Sequence, residues 1–306
     1  MNGICEGRVV IVTGAGSGIG KSHALSLAAE GAHVVVNDIG SSVGGDGHSG
    51  APAEAVVQEI VKAGGTALAN LEDVSSWRGA QRLVQAAVNE FGRLDAVVNN
   101  AGILRDRMLV SMGPADWDAV VRVHLRGTFA VTRWAATYWR SRAKAELKND
   151  ARVINTTSRA GLYGNVGQIN YAAAKAGIAA MTIVAAKELQ KYGVTVNAIS
   201  PVARTRMTED LPHWRDRKIN EDGFDRYGPD NVAPLVTWLA SLRSAEVTGR
   251  VFIVGGGRIC VAEGWGDGPE VANDECWQPS ELTAVIPPLV ARATPNPDLS
   301  ELVLAS

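Results

Sequence analysis

Tyr171 and Lys175 stand four residues apart in an Ala-rich stretch of helical pattern, a spacing that puts both side chains on one face of a helix. A tyrosine ordinarily keeps its proton to about pH 10, and an ammonium group close by favours the phenolate, so the hydroxyl can exchange a proton with an alcohol oxygen. The same lysine can hydrogen-bond a ribose. Ser158 lies upstream, at the end of a β-branched run, where a hydroxyl can polarise a carbonyl. Together the three residues describe proton transfer at an oxygen that alternates between alcohol and ketone. Singly each is weak, because Tyr-x-x-x-Lys arises by chance and a serine at a strand end can simply cap a turn.

A second group supplies what such chemistry lacks. Thr13-Gly14-Ala15-Gly16-Ser17-Gly18-Ile19-Gly20 follows an apolar strand and opens a helix, so backbone N–H groups and the helix dipole can face a pyrophosphate. Gly20-Lys21-Ser22 imitates the end of a nucleoside-triphosphate loop, but that motif needs its first glycine where Ala15 stands. The second strand ends at Asp38, about twenty residues after the loop, where a carboxylate can bind ribose hydroxyls and repel a 2′-phosphate. No arginine adjoins Asp38 or lies in the glycine loop, so NAD is expected rather than NADP. A solvated turn aspartate is the plainer reading of the same residue.

The elements that must position these groups are readable as an alternation. Short β-branched runs at Arg8 to Thr13, His33 to Asp38, Thr66 to Asn70, Asp95 to Asn99, Arg152 to Thr157, Val194 to Ser200 and Val251 to Val254 predict seven strands. Helical patterns intervene at Gly18 to Glu30, Ala53 to Lys62, Trp77 to Glu90, Trp117 to Trp139 and Ala172 to Lys191. The alternation, with nearly continuous apolar strands, predicts an α/β fold: a doubly wound, Rossmann-like parallel seven-stranded sheet with helices on both faces. We expect one domain over residues 1–257 and a C-terminal arm over 258–306, packed on the domain or on a neighbouring subunit. The Gly/Ser-rich stretch Gly40 to Gly50 reads as mobile, and Ala203 to Pro229 as a lid.

Composition narrows the classes. The 306 residues carry a net charge of −2, with no basic surplus for a nucleic-acid backbone. The three cysteines, Cys5, Cys260 and Cys276, have neither disulfide-framework nor zinc-site spacing, which suits a reducing compartment and a cytoplasmic location. No metal site and no membrane span are expected, since no apolar run approaches the length needed to cross a bilayer.

Thr13 to Gly20, Asp73, Asn99 to Gly102, Ser158, Tyr171 and Lys175 together resemble the short-chain dehydrogenase/reductase family in order and spacing, over roughly residues 4–257. The resemblance implies Tyr171 as acid/base, Ser158 as orienter and oxyanion donor, and Lys175 as tuning and ribose-binding group. It implies cofactor contacts from Gly14, Ser17, Gly18, Ile19, Gly20, Asp38, Asp73, Val74, Asn100, Ala101, Gly102, Tyr171, Lys175 and Thr205, with Asp73-Val74 beside the adenine. Asn99 and Gly102 would shape the cofactor pocket. It also implies a homo-oligomer, tetramer or dimer, built on the two long helices. The family's catalytic tetrad usually has asparagine where this chain has His124, which would then serve as a relay group or as a core histidine.

Val36-Asn37-Asp38, Asn100 to Asp106, Val123 to Gly127, Tyr163-Gly164-Asn165, Gly167-Gln168 and Arg206-Met207-Thr208 are more closely similar to the (3R)-hydroxyacyl-CoA dehydrogenase branch found in multifunctional enzyme type 2, which shares the histidine. That implies NAD-linked oxidation of a 3-hydroxyacyl-CoA, from a fatty acid or a sterol side chain, or of a 17-hydroxysteroid. The tail beyond Gly257 reads as individual to this chain, and Pro201-Val202-Ala203 departs from the family's usual Pro-Gly. Two other readings stay open: an NADPH-dependent 3-oxoacyl carrier-protein reductase, and a non-catalytic dinucleotide sensor or scaffold on the same fold.

Overall fold

Val9–Thr13 buries every side chain, as a strand covered on both faces must. In the computed structural model, which describes residues 3–204, 224–297 and 299, this strand (β1) is an inner strand, third in an eight-stranded sheet of order β3-β2-β1-β4-β5-β6-β7-β8. The others are β2 (His33–Asn37), β3 (Thr66–Asn70), β4 (Ala96–Asn99), β5 (Ala151–Thr156), β6 (Val194–Pro201), β7 (Val251–Gly255) and β8 (Arg258–Ala262). All neighbours are parallel except β7 and β8, which form an antiparallel hairpin. The doubly wound sheet is therefore present, with one strand more than the seven predicted. Residues 258–262 carry the sheet past the expected boundary at 257. Their side chains are mostly exposed, so they lack the continuous apolar signature that marks the inner strands.

The two-residue period of each strand divides the core. Val10, Val12, Val34 and Val36 point to one face, where they meet Ala24 and Leu27 of α1 (Gly18–Ala29), Val56 and Ile60 of α2 (Ala51–Lys62) and Leu239 of α8 (Ala233–Ala240). Val9, Ile11, Val97, Val153 and Val196 point to the other, against α3 (Trp77–Phe91), α5 (Gly127–Lys144) and α7 (Ile169–Leu189). Helix α3 begins where the Ser76 side chain accepts the Gly79 N–H (3.2 Å) and stops at Gly92, whose φ of 74° only glycine adopts freely.

Two local expectations change. The single helix read from Trp117 to Trp139 is α4 (Pro114–Val121), a π-helical turn at Arg122–Arg126, then α5. The Gly40 to Gly50 stretch is bonded to the segment after β4: Leu104 N–H donates to Val43 O (3.0 Å) and Arg105 Nε to Gly44 O (2.8 Å). The segment continuing α7 to Tyr192 is long and apolar enough, by length and composition, to cross a membrane, contrary to the reading that no run approaches that length. It packs on β5 and β6 and buries Asn170, Lys175 and Thr182. No residue described between 263 and 297 is buried, so this part of the arm adds nothing to the core of its own domain.

Candidate active site

Strand order reverses between β1 and its two neighbours β2 and β4, and an α/β sheet opens a crevice outside its strand ends at such a point. Eleven of the residues nominated for cofactor binding line it: Gly14, Ser17, Gly18, Ile19, Gly20, Asp38, Asp73, Val74, Asn100, Ala101 and Gly102. Gly14 has φ +64°, and a Cβ there would meet Ala101 Cα at 2.7 Å; one on Gly20 would sit 2.1 Å from Gly14 O. At these two positions the loop is folded too tightly against itself and the end of β4 for a side chain, which leaves the backbone there free to approach a pyrophosphate closely. Asp38 Oδ2 accepts the Gly16 N–H (2.8 Å) and Oδ1 the Gly40 N–H (2.7 Å), fixing the carboxylate at the crevice wall. Asp73 is held by Ser75, whose N–H and hydroxyl donate to its two oxygens (2.8 and 3.0 Å). These residues fit a nicotinamide dinucleotide.

Beyond the crevice lie the polar three. Ser158 is not the end of β5, which stops at Thr156; it caps α6 (Arg159–Tyr163), accepting the Ala160 N–H (3.2 Å), and hydrogen-bonds the Tyr171 side chain. Lys175 sits one turn along α7 from Tyr171, its Nζ 5.5 Å from the centroid of the phenol ring. The ammonium donates to Thr156 O (2.6 Å), while Thr157 Oγ1 donates to Lys175 O (2.7 Å). Burial pushes the Tyr171 hydroxyl up to about 12, against the Ser158 hydrogen bond that lowers it; burial brings Lys175 down to about 7. In the protein alone desolvation dominates the tyrosine, opposite to the lowering expected from the ammonium.

His124 lies in the π-helical turn, 2% exposed, its ring edge-on to Tyr171 with centroids 5.1 Å apart. Its Nε2 is 3.0 Å from Ile103 N and 2.8 Å from Ile103 O, and no partner is found for Nδ1 among the described residues. Burial first, then the Lys175 charge, lowers its pKa to about 3, so the ring is neutral at physiological pH. A Cβ on Gly102 would strike its Cε1 at 2.2 Å, which explains the glycine there. Asn99 does not face the crevice. It is buried behind the sheet, where its amide donates to Thr132 Oγ1 and Asn155 Oδ1 (both 2.9 Å), and Asn155 in turn donates to Thr182 Oγ1 (2.9 Å). This ladder fastens α5 and α7 to β4 and β5. Thr205 and Arg206-Met207-Thr208 lie outside the described residues, as does most of the lid segment.

Sequence reasoning missed several residues here. Arg122 of the π-helical turn and Ser42, Val43 and His48 of the loop after β2 also line the crevice. Asn155, Thr182 and Asn170 are buried polar groups within apolar or Ala-rich runs, and that mismatch was their only signal.

The short chain dehydrogenase family model matches residues 8–216, and with this crevice and its Ser158, Tyr171 and Lys175 the chain belongs to that family. It is an oxidoreductase of a family that binds nicotinamide dinucleotides. It is 45% identical over 306 residues to hydroxyacyl-CoA dehydrogenase ChsB1 of Mycobacterium tuberculosis, covering 96% of this chain and 92% of that one. It is 45% identical over 254 residues to peroxisomal multifunctional enzyme type 2 of Mus musculus, covering 83% of this chain but 32% of the mouse protein. The chain therefore spans about a third of that relative. A crystal structure of a short chain dehydrogenase from Mycobacterium avium superposes with a TM-score of 0.87 at 51% identity, covering 96% of this chain and 98% of the other. The uncovered share in the two mycobacterial matches is smaller than the arm, so the tail read as individual is shared with them in large part.

Proposed function

We propose that the protein is an NAD-dependent dehydrogenase that interconverts a 3-hydroxyacyl-CoA and its 3-oxo form. The observation that carries the cofactor choice is the Asp38 carboxylate, held by two backbone N–H groups at the crevice wall, where its charge opposes a 2′-phosphate. It also weighs against the NADPH-dependent carrier-protein reductase. The substrate class is supported by similarity to a hydroxyacyl-CoA dehydrogenase along nearly the whole chain, arm included. A 17-hydroxysteroid is the second substrate class within the same reading.

The dinucleotide, when bound, supplies the hydride acceptor. The substrate hydroxyl lies between Ser158 and Tyr171; the phenolate of Tyr171 takes the O–H proton as the carbon-bound hydrogen departs as hydride, leaving a ketone. Ser158 donates to the oxygen as its carbonyl character changes, and Lys175 supplies positive charge on the same helix face and a donor for ribose. His124, neutral and buried, supports the wall behind Tyr171. Association through α5 and α7, whose outer faces expose Phe129, Ile183 and Val184, and a cytoplasmic location belong to the same proposal.

The test is absorbance of reduced nicotinamide with purified protein, NAD or NADP, and panels of 3-hydroxyacyl-CoA esters and 17-hydroxysteroids. NAD-linked turnover of the thioesters is expected, and Asp38→Ser should shift preference toward NADP. A lower KM for NADP than for NAD in the unaltered protein would refute the cofactor reading. Turnover of simple alcohols with both panels silent would refute the substrate reading.

A further inference from the structure

One fully buried polar side chain beside the proposed acid/base has no part in the chemistry just described. Asn170 is 0% exposed and occupies the first turn of α7. Its Oδ1 accepts the Tyr171 N–H (2.7 Å), and its amide donates to Arg105 O (3.0 Å) and Asp116 O (3.2 Å). A helix start needs only an acceptor for its free N–H groups, which serine or aspartate also supplies. Burying a primary amide is costly unless its donors are also satisfied. What asparagine adds is the pair of donors: one goes to Arg105 in the segment that follows β4, the other to Asp116 in the first turn of α4.

That segment makes further bonds to the start of α7. Arg107 N–H donates to Gly167 O (2.9 Å) and Gln168 Nε2 to Asp106 Oδ2 (2.8 Å). On its other side it holds the loop that walls the crevice, through Leu104 N–H to Val43 O and Arg105 Nε to Gly44 O (3.0 and 2.8 Å). Arg105 therefore faces two ways: its guanidinium grips the loop over the crevice, and its carbonyl receives Asn170.

We infer that Asn170 is a positioning residue for Tyr171, fixing the first turn of α7 to the segment after β4, and that Arg105 links this anchorage to the loop enclosing the cofactor crevice. The inference rests on Tyr171 being the acid/base, as proposed above. The mechanism is geometric: a hydroxyl that must meet substrate within hydrogen-bond reach loses rate steeply when its helix end shifts.

The experiment compares the full-length protein with Asn170→Ser, which keeps an oxygen but removes both donors, and Arg105→Ala at the partly exposed end of the linkage. NADH dissociation constants come from the fluorescence of bound NADH, kcat from the best substrate of the unaltered protein, and amide hydrogen exchange from peptides covering 40–50 and 168–175. Asn170→Ser is expected to lower kcat by about ten- to a hundredfold, with the NADH constant within about twofold and faster exchange at 168–175. Arg105→Ala is expected to weaken NADH by about fivefold or more through loss of a preformed wall, with faster exchange at 40–50, and NADH should protect 168–175 less than in the unaltered protein.

Unchanged kcat and unchanged exchange at 168–175 in Asn170→Ser overturn the inference. So does a loss of kcat that merely follows lost NADH affinity and lost thermal stability. If Asn170→Ser does not fold, Arg105→Ala decides: NADH protection of 168–175 equal to that of the unaltered protein overturns the linkage. Hydroxyacyl thioesters failing as substrates strikes the proposed function alone, because the exchange comparisons need only NADH.

Discussion

At the scale of single residues, desolvation governs the site. Burial raises the Tyr171 hydroxyl to about 12, so its phenolate is the minor form at neutral pH. In the proposed mechanism alcohol oxidation needs the phenolate and ketone reduction the phenol, so oxidation is expected to speed up as pH rises from 6 toward 10 in steady-state assays, whereas reduction should not gain. Tyr171→Phe should lower kcat by about a hundredfold or more while NADH still binds, as judged by fluorescence titration. His23 is 0% exposed in α1, both ring nitrogens lack partners among the described residues, and burial takes its pKa down to about 3. A histidine whose folded pKa is depressed leaves the unfolded chain binding more protons between that value and about 6.5, so stability is full above this window and falls as pH drops through it. The slope for one such group approaches about 1.4 kcal/mol per pH unit within the window. Denaturant melts at pH 7.5 and 5 should show a smaller acid loss for His23→Leu than for the unaltered protein; an identical loss would refute this account.

At the scale of elements, the decisive feature is the break between α4 and α5. The π-helical turn at Arg122–Arg126 places the His124 ring between the end of β4 and Tyr171, and Gly102 leaves room for it. Gly102→Ala would put a methyl group into that ring, so thermal or denaturant melts are expected to show about 1–3 kcal/mol of destabilisation, with reduced NAD affinity because Gly102 also lines the crevice. The helix α7 that carries Tyr171 and Lys175 was legible from their spacing. Its fastening through Thr182, Asn155 and Asn99 was not, because a threonine and two asparagines in apolar runs do not announce which neighbours they bond. The anchorage of the loop at Gly40 to Gly50 is hidden for a similar reason. Glycine and serine mark irregular backbone, but the contacts that hold it come from Leu104 and Arg105, some sixty residues away in sequence.

At the scale of the whole molecule, the sheet closes on β8, and beyond it the described arm leaves apolar side chains in the open: Trp265 is 96% exposed, and Val290 of α9 (Leu282–Arg292) 64%. Since the described residues 263–297 add no buried residue to their own domain, deleting residues 263–306 while keeping β8 is expected to leave the melting of the domain little changed at low protein concentration. Sedimentation velocity and steady-state KM then test its role between subunits: a smaller assembly or an altered KM is the expected outcome, and identical assembly and kinetics would show that the arm covers neither a neighbour nor a site.

The sequence alone determined the alternation of buried strands and helices, the glycine loop that faces its backbone to the crevice, Asp38 after the second strand, and Tyr171 with Lys175 on one helical face. Each of these follows from local spacing and from the backbone freedom of particular residue types. Tertiary structure alone decided the eighth strand, the turn that buries His124, the side-chain ladder behind the sheet and the tethering of the glycine-rich loop. These depend on groups far apart in the chain, whose pairing is set by the register of the sheet and by the need of buried polar atoms to find partners.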